Sequence, residues 1–371
     1  MTIYWVLVIT MLFSHLMFFY FHVSRKKGFH LEDIDSIENA YMKVEKDTIT
    51  VFFTFYIVIL CLRDLFVGSD TIEYVYNFNQ YRLLDWSQIV ARKPDELAFS
   101  FVTKIIGQVT SNPQLFLSVF AILSVAPIMI LYKREARDAV LCCSFYLISL
   151  LFEFYFSGIR QGVAIGFMVP AYYFVKEKKP IQFVITLIVA SSFHISALIG
   201  ILLYPIYHAK ITTKWLWFVV PIMALIYRFN QPIFNTLFLL SGEKYSTKYI
   251  IWGFGETGQY GLLLLFVLLS IYSFLMLDES QADGDDIGLR NVLLLATVLQ
   301  FFSPLHSLAS RMNYYFILFI PIAITRVNYK SKIRYKQIAK LAKVVMVVYF
   351  LFYFFVLKGD SLGIFNYKFC F

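Results

Sequence analysis

Long apolar runs separated by short charged blocks pattern this chain from end to end. The runs read as helical spans at about 3–22, 49–67, 114–132, 139–156, 159–175, 181–207, 215–227, 261–277, 291–303, 312–325 and 341–357. A membrane-spanning helix needs about 20 mostly apolar residues, so the pattern predicts an all-α, polytopic integral membrane protein with 11 to 12 transmembrane helices. The count turns on 181–207, which carries Ser191, Ser192 and His194 at its middle and reads equally as one tilted helix or as two short ones. The chain is expected to form a single transmembrane domain, 1–371.

Between the spans, three polar segments stand out. In 28–47, Leu31, Ile34, Ile37, Tyr41 and Val44 recur at helical spacing among charges, which predicts an amphipathic helix on the cytoplasmic leaflet. Residues 68–113 form the longest polar stretch, an extracytoplasmic loop in which Phe99, Val102, Ile106 and Val109 trace one helical face, as in short helices lying over the membrane like a lid. Residues 278–290 open with the acidic run DESQADGDD and read as a cytoplasmic loop. The D-x-D pairs Asp33/Asp35 and Asp283/Asp285 read as solvated charge, since neither segment has room for a nucleotide-sugar domain.

Composition agrees with the pattern. Apolar residues make up 59% of the 371 positions and mean hydropathy is +0.68, against the 45–50% typical of soluble domains, which leaves no room for a separate soluble enzyme. Aromatics reach 19%, as suits lipid-facing surface and interfacial belts. The net charge of +9 reads as a topology signal. Arg25, Lys26 and Lys27 follow the first span with nothing basic before it, and the same side then receives 21 of the 33 Lys and Arg, so the N-terminus is expected outside a cytoplasmic membrane. This excess predicts contact with anionic membrane lipids and no nucleic-acid partner. The first span lacks a basic n-region and a cleavage site, so it reads as a retained helix. Cys61, Cys142, Cys143 and Cys370 show no CxxC or ligand spacing and read as small packing residues.

Arginines at the outward ends of spans are unexpected, because each costs about 2.5–3.5 kcal/mol to embed. Arg63, Arg160 and Arg311 are the cases. A guanidinium fork matches phosphate oxygens, so three converging on one cavity would clamp a diphosphate. The alternative is structural pairing, Arg63 with Asp64 or Asp70 and Arg160 with Glu153 across the turn. His194, in ASSFHISALIG, reads either as a packing residue or as a functional imidazole. There is no H-E-x-x-H zinc motif, Gly-rich phosphate loop or G-x-S-x-G elbow, so neither a metal nor another cofactor is expected.

The set Arg63…Gly68-Ser69-Asp70-Thr71…Tyr74, then Glu96 and Phe99, Ser157-Gly158-Ile159-Arg160-Gln161…Ala164, Ser192-Phe193-His194-Ile195-Ser196-Ala197 and Arg311…Tyr314-Tyr315-Phe316 resembles the EpsG family of Wzy-like polysaccharide polymerases. The order and spacing match through most of the chain. Leu97 stands where a Pro is expected after the Glu, and Ser69 where Thr is commoner. The resemblance implies a metal-independent glycosyltransferase that polymerises undecaprenyl-diphosphate-linked repeat units at the outer leaflet, for exopolysaccharide, capsule or O-antigen. It implies a flippase and a chain-length regulator of the same pathway as partners. On this reading Arg63, Arg160 and Arg311 bind the diphosphate and stabilise the leaving group. Asp70, Glu96 and His194 are candidates for acceptor orientation or general base, with His194 the first choice of base; Gln161 and Tyr74 are candidates for sugar hydrogen bonds, and Tyr315 is a further substrate-binding residue. Rival readings are a flippase or transporter of the same lipid-linked sugar, a ligase sharing its donor chemistry, and a membrane O-acyltransferase, which the outward arginines disfavour.

Overall fold

In lipid a backbone must satisfy its own hydrogen bonds, and the chain does so with helices. The computed structural model describes residues 2–24, 34–92, 94–240, 259–304, 307–360 and 362–371. Among them every extended element is helical, and the only β pairings are isolated bridges, Arg63 with Phe369 and Leu277 with Ser331. Arg25, Lys26, Lys27, His30, Asp33 and His306 lie outside the described residues, as does the start of the 28–47 segment.

Among the described residues three helical stretches are long and apolar enough to cross a membrane: Thr2–Ser24, Pro113–Glu135 and Ile333–Leu357. A fourth is the pair Leu308–Ile317 and Ile320–Tyr329, bent by 41°. Five shorter apolar helices accompany them, including Leu97–Val109, Pro180–Phe193 and Tyr260–Met276. The protein is a multi-pass, all-α membrane protein. Many of the expected spans are broken into pieces by one or two residues, as at Ser149, Phe167 and His194.

Its contacts fall into two compact units: Met1–Leu198 with Lys340–Phe371, and Ile199–Ala339. In the first unit, α1 (Thr2–Phe19) ends in a π-turn, Tyr20–Ser24, and α2 (Ile34–Cys61) packs on it. The described part of the 28–47 segment is therefore the start of α2 and not a separate surface helix. Ala40 and Val44 are buried against Val23, Phe18 and Phe19, and this packing carries the helix straight on into the apolar run.

Further along come α3 (Thr71–Leu83), α4 (Trp86–Arg92), α5 (Leu97–Val109), α6 (Pro113–Glu135), α7 (Ala139–Ile148), α8 (Leu150–Phe154), α9 (Ile159–Gly166), α10 (Met168–Lys176) and α11 (Pro180–Phe193). The 68–113 segment is thus mostly helix. On α5 the buried face is Phe99, Ser100, Thr103 and Lys104, while Val109 is exposed, so the apolar stripe expected from the sequence is not the one that packs. Buried Lys104 explains the difference: its ammonium donates to Arg82 O at 2.9 Å and Leu84 O at 2.7 Å, capping the C-terminus of α3.

Much of the aromatic content is core and not belt. Tyr4, Phe52, Phe53, Tyr56, Tyr132, Tyr146, Phe152 and Phe156 are all fully buried, and Tyr4 meets the rings of Phe152, Phe156, Phe354 and Phe365 edge-on. The C-terminal segment closes this unit. Tyr4 Oη donates to Ile364 O at 2.8 Å and Tyr367 Oη to Ile59 O at 2.8 Å, while Asp64 N and Cys370 N each donate at 2.9 Å across the Arg63–Phe369 bridge.

The run 181–207 is not one helix. After α11 the backbone turns extended at His194, with φ −157° and ψ 118°, and resumes as a 3₁₀ turn, Ile195–Leu202, before α12 (Leu203–Tyr207).

The second unit holds α12, α13 (Leu216–Arg228), α14 (Asn230–Leu240), α15 (Tyr260–Met276), α16 (Gly284–Gln300), α17 (Ser307–Ile317) and α18 (Ile320–Tyr329); α19 (Lys336–Phe352) begins within it. Its centre is α16, which packs on α12, α15, α17 and α18. Much of the acidic stretch 278–290 is the first turns of this helix: Asp283 caps it and exchanges a reciprocal pair of bonds with Asp286. Asp286 is buried and binds Arg326 Nε at 2.6 Å and Lys330 Nζ at 2.6 Å. Arg290, also buried, donates to Glu279 at 2.6 Å and to Ile211 O at 2.6 Å.

Candidate functional site

Four of the singled-out residues converge in the first unit from four separate stretches of chain. Glu96 ends a 3₁₀ turn, Pro94–Glu96, ahead of α5; Tyr74 lies on α3; Arg160 is the second residue of α9; and His194 follows α11. Glu96 is buried and central. Its Oε2 accepts from Arg160 Nη1, and its Oε1 lies 2.6 Å from His194 Nδ1. Because a carboxylate only accepts, the bond has Nδ1–H as its donor, with Nε2 on the other side of the ring.

The arginine is further held by aromatic rings. Its Cζ lies 5.6 Å from the Tyr74 ring centre and 5.8 Å from that of Phe99, which meet each other edge-on. Arg160 Nε donates to Tyr74 Oη at 3.4 Å, a long bond. The Arg160 and His194 side chains keep 23% and 27% of their surface open, against 6% for Glu96. A buried carboxylate thus orients a cation and an imidazole that can both be reached. This is not the Glu153 pairing weighed from the sequence, since Glu153 faces Lys358 Nζ at 3.4 Å.

The turn before α9 explains how Arg160 is placed. A Cβ on Gly158 would collide with the Phe154 ring, so any larger residue there requires that ring to shift. Gly68 has φ +95°, and a Cβ there would strike the Phe156 carbonyl. Close approach at Gly68 lets Thr71 Oγ1 reach Phe156 O at 3.1 Å and brings the Ser69 hydroxyl within 3.2 Å of Ser157 Oγ, while Ser69 also donates to Asp70 at 2.9 Å. Asp70 thus follows a residue that touches Ser157, three positions before Arg160. Gly363, at φ +67° with open space around it, supplies a comparison. Gly363→Ala should cost about 1 kcal/mol of backbone strain, and Gly68→Ala about 2–3 kcal/mol because a carbonyl must also move. Thermal unfolding of the two variants in detergent checks this; equal losses would dismiss the close approach as a constraint.

The other expected site residues fall elsewhere. Arg63 is 1% exposed. Its Nη1 donates to Leu60 O at 3.0 Å, capping α2, and its Cζ sits 5.9 Å from the Phe156 ring; neither Asp64 nor Asp70 pairs with it. Gln161 is buried beside Arg160 on α9. Arg311, exposed, and Tyr315, fully buried, lie on α17 in the second unit. The parts that sequence reasoning left without a role are Phe99, Ser69, Ser157 and Gly158; all lie inside the motif runs, which was the signal available.

A family model described as the EpsG family matches residues 46–369. The chain belongs to the EpsG family. In this EpsG-family protein the matched region takes in Tyr74, Glu96, Arg160 and His194, and also the tail residues that bridge to Arg63. No curated protein and no solved structure matches the sequence.

Proposed function

We propose that this EpsG-family membrane protein is a Wzy-type glycosyltransferase in polysaccharide biosynthesis, joining oligosaccharide repeat units carried on undecaprenyl diphosphate at the outer leaflet of a bacterial cytoplasmic membrane. The observation that carries the reading is the single buried carboxylate, Glu96, shared by Arg160 and His194. Glycosyl transfer from a lipid diphosphate needs two things at once: an acceptor hydroxyl must lose a proton, and a departing diphosphate must be stabilised.

The acceptor oxygen attacks the anomeric carbon of the donor sugar while the carbon–oxygen bond to the diphosphate breaks. The acceptor proton passes to His194 Nε2, the only ring nitrogen with a lone pair once Nδ1–H donates to Glu96. The negative charge that grows on the leaving diphosphate meets the Arg160 guanidinium and the positive end of α9, on whose first turn Arg160 sits. On this reading Asp70 and Tyr74 are the groups assigned to sugar hydroxyls. Arg63, being enclosed, supports the turns instead of touching substrate, and the reading does not depend on Arg311 or Tyr315. The donor is already activated, so the chemistry calls for no cofactor.

The test is the size profile of lipid-linked glycan in cells lacking the protein and complemented with wild type, Arg160→Lys or His194→Asn. Single repeat units should accumulate without the protein, wild type should restore a ladder, and both variants should leave single units despite normal insertion. Arg160→Lys keeps the charge but loses the fork and the ring stacking. A ladder that persists without the protein would sink the polymerase reading; units trapped on the inner leaflet would replace it with a flippase, and a ladder that forms but never reaches its final acceptor with a ligase.

A further inference from the structure

At the opposite end of α1 from Tyr4, a cavity of about 420 Å³ opens between the π-turn Tyr20–Ser24 and the first turns of α2, lined by His22, Ser36, Asn39, Ala40 and Lys43. Its volume falls in the range of about 300–1,000 Å³ usual for small-molecule sites. Ser36, Asn39, Ala40 and Lys43 follow the spacing i, i+3, i+4, i+7, so one face of α2 presents them together. His22 is fixed opposite them, its ring stacked on Phe18 and its Nε2 3.3 Å from Asp47.

We infer that this cavity holds the phosphate of an anionic glycerophospholipid. Three observations support that occupant. First, Lys43 has no carboxylate partner and Asn39 no hydrogen-bond partner among the described residues, so an ammonium and an amide both face the cavity with donors to give. Second, none of the described lining residues is a carboxylate, so among them a choline or ethanolamine group would find no counter-charge. Third, the site lies at headgroup depth. α2 changes from the charged stretch Lys43–Asp47 to the apolar run that begins at Ile49, and α1 ends its apolar run at the π-turn. Ile9, Phe13, Leu16 and Tyr20, between 59% and 67% exposed, form a stripe up α1 that ends two residues before His22 and offers acyl chains a surface.

The experiment takes the purified full-length protein through nanodiscs of phosphatidylglycerol or phosphatidylcholine and reads retained lipid by native mass spectrometry. Wild type should keep one phosphatidylglycerol, phosphatidylcholine should not be kept, and Lys43→Gln combined with Asn39→Leu should lower occupancy at least fivefold. Lys46→Gln, which alters an exposed lysine outside the cavity, should leave occupancy unchanged. Millimolar glycerol 3-phosphate should not displace the lipid. Equal retention by wild type and the double variant, an equal loss in Lys46→Gln, retention of phosphatidylcholine, or displacement by glycerol 3-phosphate would each overturn the assignment.

Discussion

Glu96→Ala is expected to abolish polymer formation, lowering the rate at which purified lipid-linked repeat units convert to a ladder by at least about 10³-fold. Two effects add. Without the carboxylate, His194 loses the bond that fixes its tautomer and direction, and a positioned general base is typically worth about 10²–10⁴-fold. Arg160 in the same step loses its ion pair and is left with rings and one long bond to Tyr74. Breaking a buried pair from one side commonly costs about 3–5 kcal/mol, so some loss of thermal stability should accompany the loss of activity. Glu96→Gln separates the two effects. An amide oxygen can still accept from His194 Nδ1, but its NH₂ faces the guanidinium, so this variant should fold with near-normal stability and retain a few per cent of the rate at most. Retention of more than about a tenth of the wild-type rate by Glu96→Ala would remove Glu96 from the chemistry and leave it a structural carboxylate.

The largest stability effect is expected at Asp286 in the second unit. Its carboxylate is buried and binds Arg326 at 2.6 Å, Lys330 at 2.6 Å and the backbone N–H of Asp283 at 3.0 Å. Asp286→Ala removes the buried carboxylate from Arg326, whose ion pair with the more exposed Asp283 remains, and should destabilise by about 3–5 kcal/mol, read as a fall in the thermal midpoint in detergent. A loss under about 1 kcal/mol would mean that the network is merely a solvated ion cluster. Asp283 adds a pH dependence. Partial burial pushes its carboxyl up, but the Lys330 bond, the Asp286 N–H and Arg326 outweigh this and hold it well below the usual carboxylate range. A carboxylate whose pKa is lower folded than unfolded contributes stability that is full above about pH 4 and fades as the pH falls through the folded value. The wild-type midpoint should therefore drop on acidification below about pH 4, and Asp283→Asn should flatten that part of the curve.

Sequence pattern was enough for the helical class and for singling out three groups that the structure brings into contact. Arg160 and His194 stood out because charge and imidazole are costly in apolar runs, and Glu96 because it sits in a motif. Their partnership was not legible: Glu96 and Arg160 are 64 positions apart, and Glu153, the nearer carboxylate in sequence, meets Lys358 from the far end of the chain. Arg63 looked like a substrate ligand for the same reason that Arg160 did, since both end apolar runs. What sets them apart is enclosure by residues near 156 and 369, which no local pattern reveals. The buried aromatic core and the α5 face escaped the sequence pattern differently. Periodicity reports which residues are apolar, but it is blind to rings packing on rings and to a lysine buried by capping carbonyls.

The tail that bridges to Arg63 has a consequence for biogenesis. The first unit combines residues up to Leu198 with those after Lys340, and the bond from Tyr4 to Ile364 spans 360 positions. A ribosome delivers these halves at different times, with the whole of the second unit synthesised in between. Until the last helix has entered the bilayer, Tyr4 and the peptide edge at Leu62–Asp64 lack their partners, so the newborn chain is held in an unfinished state. Closure of this unit is therefore expected late, and susceptibility to membrane quality-control proteases is expected before it.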